Sequence, residues 1–227
     1  NGPLSPAATR IKTAEPTHCA LYAPNNMPER EIYLASASPR RHEILNQMGI
    51  QHRVLIVPSP PGEDEPRLAG ESPKQYVMRT ASEKSDRALA WIKHQSLPVL
   101  PVLTADTTVA LDDIILGKPG TYEEAKSMLT QLSGHTHQVY TAVTLAFNEQ
   151  RIDILSTTAV RFAHLDRQDI DTYCRTYEPW GKAGAYGIQG KASWFIEHIS
   201  GSYSGVVGLP IYETGQLLKK MNESQAV

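Results

Sequence analysis

The feature that most constrains this chain is the way its periodicity switches. From Glu31 onward, short apolar runs of strand character alternate with longer stretches of helical spacing, and several of the strand-like runs are parted only by a short turn. Short turns make antiparallel neighbours, while strands that return after a helix lie parallel. A chain with both kinds of connection builds a mixed sheet flanked by helices. Ile32-Tyr33-Leu34-Ala35 reads as a short buried strand, followed by Ser38 at an N-cap and Pro39 at the first position of a helix that ends at Gly49. A second strand is expected at 51–57. A long helix follows at 73–94, with Tyr76, Val77, Ala81, Ala88 and Trp91/Ile92 on its inner face. The strand at 99–104 runs on into Ala105-Asp106-Thr107-Thr108, and 109–111 can pair with 114–116 across Asp112-Asp113. A helix at 122–132, β-rich runs at 137–147 and 152–162, a short helix at 166–176, a strand at 194–199 and a terminal helix from Pro210 complete the order. Trp91, Trp194 and Phe195 read as core aromatics.

At 227 residues the chain is one large domain or two small lobes, long enough to bury a sizeable core. Residues that are hydrophobic make up 41% and charged ones 20%, which argues against a mainly disordered chain. The 22 Lys+Arg against 24 Asp+Glu leave a net charge of −2, so neither nucleic acid nor an anionic membrane is an expected partner. No run approaches the roughly 18 apolar residues of a membrane span. Cys19 and Cys174 are too few for a disulfide framework or a zinc knuckle, which fits free thiols and a cytoplasmic protein. Residues 1–30 differ from the rest. Five prolines interrupt them and no apolar h-region is present, so they read as a flexible extension or an appended leader, with Met27 as a natural start. The expected domain covers 31–223.

Four segments could carry chemistry. Ser36-Ala-Ser38-Pro-Arg40-Arg41 sits at a strand-to-helix junction, where free N–H groups, two hydroxyls and two guanidinium groups suit a phosphate. The same residues equally describe a capped helix with solvated arginines. Asp106, directly after an apolar strand and flanked by Thr107 and Thr108, reads as a carboxylate that a sheet would fix at the rim of a cleft, suited to a base or a metal ligand, with a turn aspartate bonded to its own backbone as the alternative. Glu63, Asp64, Glu65, Lys84 and Lys118 could serve a divalent cation with a polyphosphate, although each alone is an ordinary surface charge. Two Gly-rich runs, 181–190 and 201–210, let backbone approach a ligand closely, and neither is a P-loop or a dinucleotide fingerprint. His135 and His137 lie at no metal-site spacing and read as structural or surface residues.

In combination these segments resemble the Maf family of nucleotide pyrophosphatases. The matches are Leu34-Ala-Ser-Ala-Ser-Pro-Arg-Arg41, Ala105-Asp-Thr107, Gly117-Lys-Pro119, Leu132-Ser-Gly-His-Thr-His137, the run 181–190 and Ile199-Ser-Gly-Ser-Tyr-Ser-Gly-Val-Val-Gly-Leu-Pro210, in family order over about 32–218. The resemblance implies a twisted mixed sheet in two lobes, of the Maf/inosine-triphosphatase kind, with a nucleotide cleft between them. It implies a hydrolase acting on acid anhydrides, which splits a nucleoside triphosphate at the α–β bond with a divalent cation, Mg²⁺ or Mn²⁺. Asp106 matches the proton acceptor, and Glu65 with Asp106 would hold the metal. Lys84 and Lys118 would face the phosphates, and Ser36, Ser38 and Arg41 would complete the anion site. Arg40, Thr107 and Gln189 match the branch acting on dTTP and UTP, extended to modified pyrimidine triphosphates. The 7-methyl-GTP branch tends to carry Trp, Gln and Glu there. Family analogy also adds a homodimer and, as a different reading, a nucleotide-binding regulator of cell division acting at septum formation.

Overall fold

The sheet is built around one strand that must serve three neighbours. In the computed structural model, residues 31–58 and 66–223 are described. They form β1 (Ile32–Leu34), α1 (Pro39–Gln47), β2 (His52–Val54), α2 (Pro73–His94), β3 (Val102–Leu111), β4 (Ile114–Leu116) and α3 (Tyr122–Leu132). These are followed by β5 (Thr136–Phe147), β6 (Gln150–Phe162), α4 (Arg167–Cys174), β7 (Ile196–Ser200), α5 (Tyr203–Val207) and α6 (Ile211–Glu223). The strand order is β2-β1-β3-β5-β6-β7, with β4 also paired to β3. β1 is parallel to β2 and β3, and the remaining pairs are antiparallel. This is the mixed α/β architecture that the alternation of turns and helices predicts.

β5 lies along one edge of β3 from Val102 to Ala110. β1 and β4 therefore share the other edge, β1 at Val102 and Leu103 and β4 from Val109 to Leu111. Between them, residues 104–108 have no strand partner on that side among the described residues. The interior splits at the same level. Leu103 and Ala105 pack with α1 and α6 in one apolar cluster, whereas Val109 packs with α3, α4 and the aromatic rings of Phe162, Tyr186 and Phe195 in another. Thr107 falls between the two clusters, and across the sheet it registers with Thr141, which registers with Ser156. A row of hydroxyls thus runs through the sheet where two lobes meet. α2 covers the opposite face, packing Val77 and Ala81 against Ala110, Tyr140 and Ala142.

Local chemistry explains most element boundaries. α2 starts at a capping box, with Gln75 N–H donating to Ser72 Oγ at 3.3 Å and Ser72 N–H to Gln75 Oε1 at 2.9 Å, and with Pro73 in its first turn. Thr121 caps α3 by accepting from Glu124 N–H at 3.2 Å. Four expectations need correction. The strand expected at 51–57 is only three residues long; among the described residues no strand flanks β2 on its outer edge, and its side chains are half exposed or exposed. The strand expected from Trp194 starts at Ile196, after a 3-10 turn at Lys191–Phe195. That turn points Phe195 into the core against Tyr173 and leaves Trp194 89% exposed, so Trp194 is not a core residue. The second Gly-rich run, read as a loop, contains α5, which Ser202 caps by accepting from Gly205 N–H.

His137 belongs to the core. It is 1% exposed, its Nε2 lies 2.8 Å from Tyr186 Oη, and its ring meets Phe162 edge-on. Burial pushes its pKa down to about 4. An unfolded histidine takes its proton near pH 6.5, so between these values the unfolded chain binds a proton that the folded chain refuses. Stability should therefore fall as pH drops from about 6.5 towards 4. Urea unfolding across that window is expected to show the slope, and His137→Phe should flatten it by about one proton's worth.

Candidate active site

Asp106 lies inside β3 rather than just beyond a strand, facing α2 at the level where the far edge is open. The register of helix on strand is set by Thr104, whose Oγ1 donates to the Ala81 carbonyl at 2.9 Å. Two residues along the strand and three along the helix, the Lys84 ammonium then meets Asp106 Oδ1 at 2.7 Å. Asp106 is only 8% exposed. Burial alone would raise its pKa, but the charge and hydrogen bond of Lys84, then the charge of Arg41 and a contact with Thr80, outweigh it. The carboxyl is held below the usual carboxylate range, and so stays ionised at neutral and mildly acidic pH.

A second set of contacts builds the wall across from it. Arg41, in the first turn of α1, donates from Nε to the Gly208 carbonyl at 2.8 Å, from Nη1 to Ser36 Oγ at 3.2 Å and from Nη2 to Thr107 Oγ1 at 3.2 Å. Arg40 Nε reaches the Val207 carbonyl at 3.3 Å, and Thr141 Oγ1 donates to the Gly205 carbonyl at 2.7 Å. The end of α5 is thus bound to the start of α1 and to the hydroxyl row. Ser38 stands at the N-cap of α1, but its hydroxyl makes no capping bond; its N–H donates to Ser36 Oγ at 3.2 Å.

The first Gly-rich run closes the third side. Gly184 has φ +69° and lies so close to β3 that a Cβ there would sit 2.9 Å from Val109 Cγ1. Its N–H donates to the Gly117 carbonyl at 3.0 Å, which ties the run to the segment carrying Lys118. Glu178 organises the other end. Its two carboxylate oxygens accept Lys191 N–H at 2.8 and 2.9 Å, its carbonyl accepts Lys182 Nζ at 2.5 Å, and a Cβ at Gly190 would lie 1.9 Å from its Oε1.

Together these walls enclose a cleft of about 400 Å³. Ser36, Ser38, Arg40, Arg41, Lys84, Asp106, Thr107, Lys118 and Gln189 all line it, which is every expected site residue but one. Glu65, with Glu63 and Asp64, lies outside the described residues; Pro58, the last one described before them, lines the cleft. Sequence reasoning missed two lining residues. Arg87 follows Lys84 by three positions on α2, a helical spacing that could have flagged it. Lys182 was visible inside the Gly-rich run but was given no role. Arg40, Arg41, Lys84, Arg87, Lys118 and Lys182 bring six positive charges against the single carboxylate of Asp106 among the described lining residues. No group of three or more His, Cys, Asp or Glu that could hold a metal occurs among the described residues. A hard divalent cation is commonly held by one or two carboxylates together with phosphate oxygens and water. One buried, ionised carboxylate at the wall of a polycationic cleft fits that donor set.

A mixed sheet divided into two lobes, with a cation-rich cleft around one ionised aspartate at the division, defines a protein built to hold a polyanion beside a base. The chain matches the family described as Maf-like protein over residues 31–221, and it belongs to that family. It is 54% identical over 188 residues to the dTTP/UTP pyrophosphatase of Bordetella pertussis, covering 83% of this chain and 91% of that protein. It is 52% identical over 193 residues to the protein of the same name from Nitrosomonas europaea, and 47% identical over 194 residues to that of Burkholderia pseudomallei. These alignments cover 83% of this chain and 93% and 92% of the respective proteins. Among solved structures, a nucleoside-triphosphatase / dITP/XTP pyrophosphatase of Mycobacterium abscessus matches with TM-score 0.39 at 19% identity, over 60% of this chain and 76% of that one. No helix among the described residues is long and apolar enough to cross a membrane.

Removing Lys84 should expose the balance that keeps Asp106 ionised. In Lys84→Met, burial would no longer be offset by the nearest cation, so the Asp106 pKa should rise. The acid limb of the pH profile of kcat/KM is expected to move to higher pH in the variant. An unmoved limb would mean that Asp106 is not the group titrating.

Proposed function

We propose that this protein hydrolyses nucleoside triphosphates at the α–β bond, releasing a nucleoside monophosphate and pyrophosphate, with dTTP and UTP as preferred substrates. The observation that carries the reading is the pairing of one buried, ionised aspartate with six cations in a single cleft. The relatives named dTTP/UTP pyrophosphatase support the choice of substrate. So do Arg40, Thr107 and Gln189, which match the pyrimidine branch at three separate places in the sequence.

In this reading the triphosphate lies along the cationic walls, where Lys84, Lys118 and Arg41 offset its charge. Water attacks the α-phosphorus, the bond to the bridging oxygen breaks, and pyrophosphate leaves. Asp106 accepts the proton of the attacking water at its carboxylate. Lys84 keeps that carboxylate ionised and fixes one of its two oxygens. A divalent cation, held by Asp106 and Glu65, would supply a lowered water pKa and further charge neutralisation when bound. The Ser36 hydroxyl, Ser38 and the start of α1 offer hydrogen bonds to phosphate oxygens. Thr107 has a scaffold role besides any contact with the base, because its hydroxyl also joins Arg41 to Thr141 at 3.0 Å.

Pyrophosphate release from dTTP, UTP, CTP, dATP, GTP and 7-methyl-GTP tests the proposal, with Mg²⁺ or Mn²⁺ and an EDTA control. Asp106→Ala should lower kcat by about 10²–10⁴-fold with an unchanged far-UV circular dichroism spectrum; near-wild-type turnover would overturn the assignment. Gln189→Glu should weaken dTTP and UTP turnover more than that of 7-methyl-GTP. An equal loss for all nucleotides would mean that Gln189 shapes the cleft without choosing the base.

A further inference from the structure

Lys182 is the cleft cation that the proposed reaction leaves without a task and whose surroundings are most specific. Its Nζ is anchored to the Glu178 carbonyl at 2.5 Å. Its stem crosses the backbone at Gly187, where a Cβ would lie 3.0 Å from Lys182 Cε and 3.1 Å from Cδ. Gln189 Oε1 lies 3.6 Å from that same point, so the lysine stem and the carboxamide meet over one glycine at the cleft wall. Burial, and then the nearby charge of Arg40, lower the Lys182 pKa. The neutral carboxamide donates and accepts, as a base edge requires, while the serines, Arg41 and the helix start offer phosphate contacts elsewhere in the cleft.

We propose that Lys182 is a specificity-determining residue that donates a hydrogen bond to a carbonyl oxygen of the base, so that the cleft accepts uracil and thymine nucleotides and turns away cytosine ones. This rests on the reading above, that the cleft holds a pyrimidine nucleoside triphosphate, and deepens it. An ammonium group can only donate. Uracil and thymine present a carbonyl at ring position 4, where cytosine presents an amino group. Against Lys182 the amino group leaves donors facing donors, and leaving buried polar groups unpaired is how a polar site discriminates strongly. Gln189 alone cannot make this choice, because its carboxamide can turn over to suit either base. Glu178 acts as a positioning residue, since its carbonyl holds Lys182 and its carboxylate holds the backbone at Lys191.

The test is Lys182→Met, which keeps an unbranched stem over Gly187 and removes the donor. Steady-state kinetics on dTTP, UTP, dCTP and CTP would be run beside calorimetric binding of dTMP and dCMP to the full chain. The expected result is a fall of about 10- to 100-fold in kcat/KM for dTTP and UTP, the size of one lost charged hydrogen bond. It should be carried by KM, with little change for dCTP and CTP, so that the preference for thymine and uracil collapses. Lys182→Arg, which restores a cationic donor, should recover part of that preference. An equal loss across the four nucleotides, or a loss carried by kcat, would overturn the proposal and assign Lys182 to the phosphates or the chemistry. Should the wild-type protein release no pyrophosphate from any of them, the proposed reaction fails, but the dTMP-to-dCMP affinity ratio still judges Lys182. A ratio reduced in Lys182→Met upholds its role, and an unaltered ratio removes it.

Discussion

The open edge of β3 is the constraint on which the rest of the structure depends. A central strand ordinarily has a partner along both edges, and here one edge is shared by β1 and β4, with five residues between them left unmatched among the described residues. At Thr107 the sheet carries a row of hydroxyls, Thr107, Thr141 and Ser156. The two apolar clusters on either side grow independently around different helices. A cleft between them follows from the packing, and a residue in the unpaired stretch of β3 is held rigidly by the sheet while remaining reachable from the cleft. Asp106 occupies that position.

The electrostatics follow from the same arrangement. The whole chain is close to neutral, with a net charge of −2, yet the cleft concentrates cations from four parts of the sequence. Some of that charge is already used internally: Arg41 binds three partners and Lys84 binds Asp106. Arg40 and Lys182 are likewise held, by the Val207 and Glu178 carbonyls. The depressed pKa of Asp106 belongs to this balance, because the same cations that would attract phosphate also keep the base ionised.

Much of this was legible in the sequence, for reasons that can be named. The bounds of α2 and α3 coincide with the 73–94 and 122–132 readings because a capping box, Pro73, Thr121 and the 133–134 break state them locally. The pairing of β3 with β4 was announced by the Asp112-Asp113 turn. The failures were tertiary. Trp194 looks like core from its apolarity, and only the 3-10 turn before β7 sends it outward while Phe195 turns in. α5 hides in a glycine-rich run because five residues give no periodicity to read. The site residues could be gathered by motif, but the work each does could not. Arg41 was assigned to an anion, and the structure shows it first holding Ser36, Thr107 and Gly208 together. Lys182 was passed over because nothing local says that its stem lies beside Gln189.

The bonds from α1 to α5 also say something about when a working cleft can exist. Arg40 and Arg41 bond to carbonyls 167 positions further along the chain. On a ribosome, α1 emerges well before α5, and the α1 arginines lack these acceptors until α5 follows. Local helices and the hairpin of β5 and β6 can form meanwhile, since their contacts are near in sequence. The cleft itself must wait for the segment at the end of α5, 167 positions after the arginines. A chain cut short before Gly208 could keep much of its sheet and have no site, which makes the end of α5 a checkpoint between folding and competence.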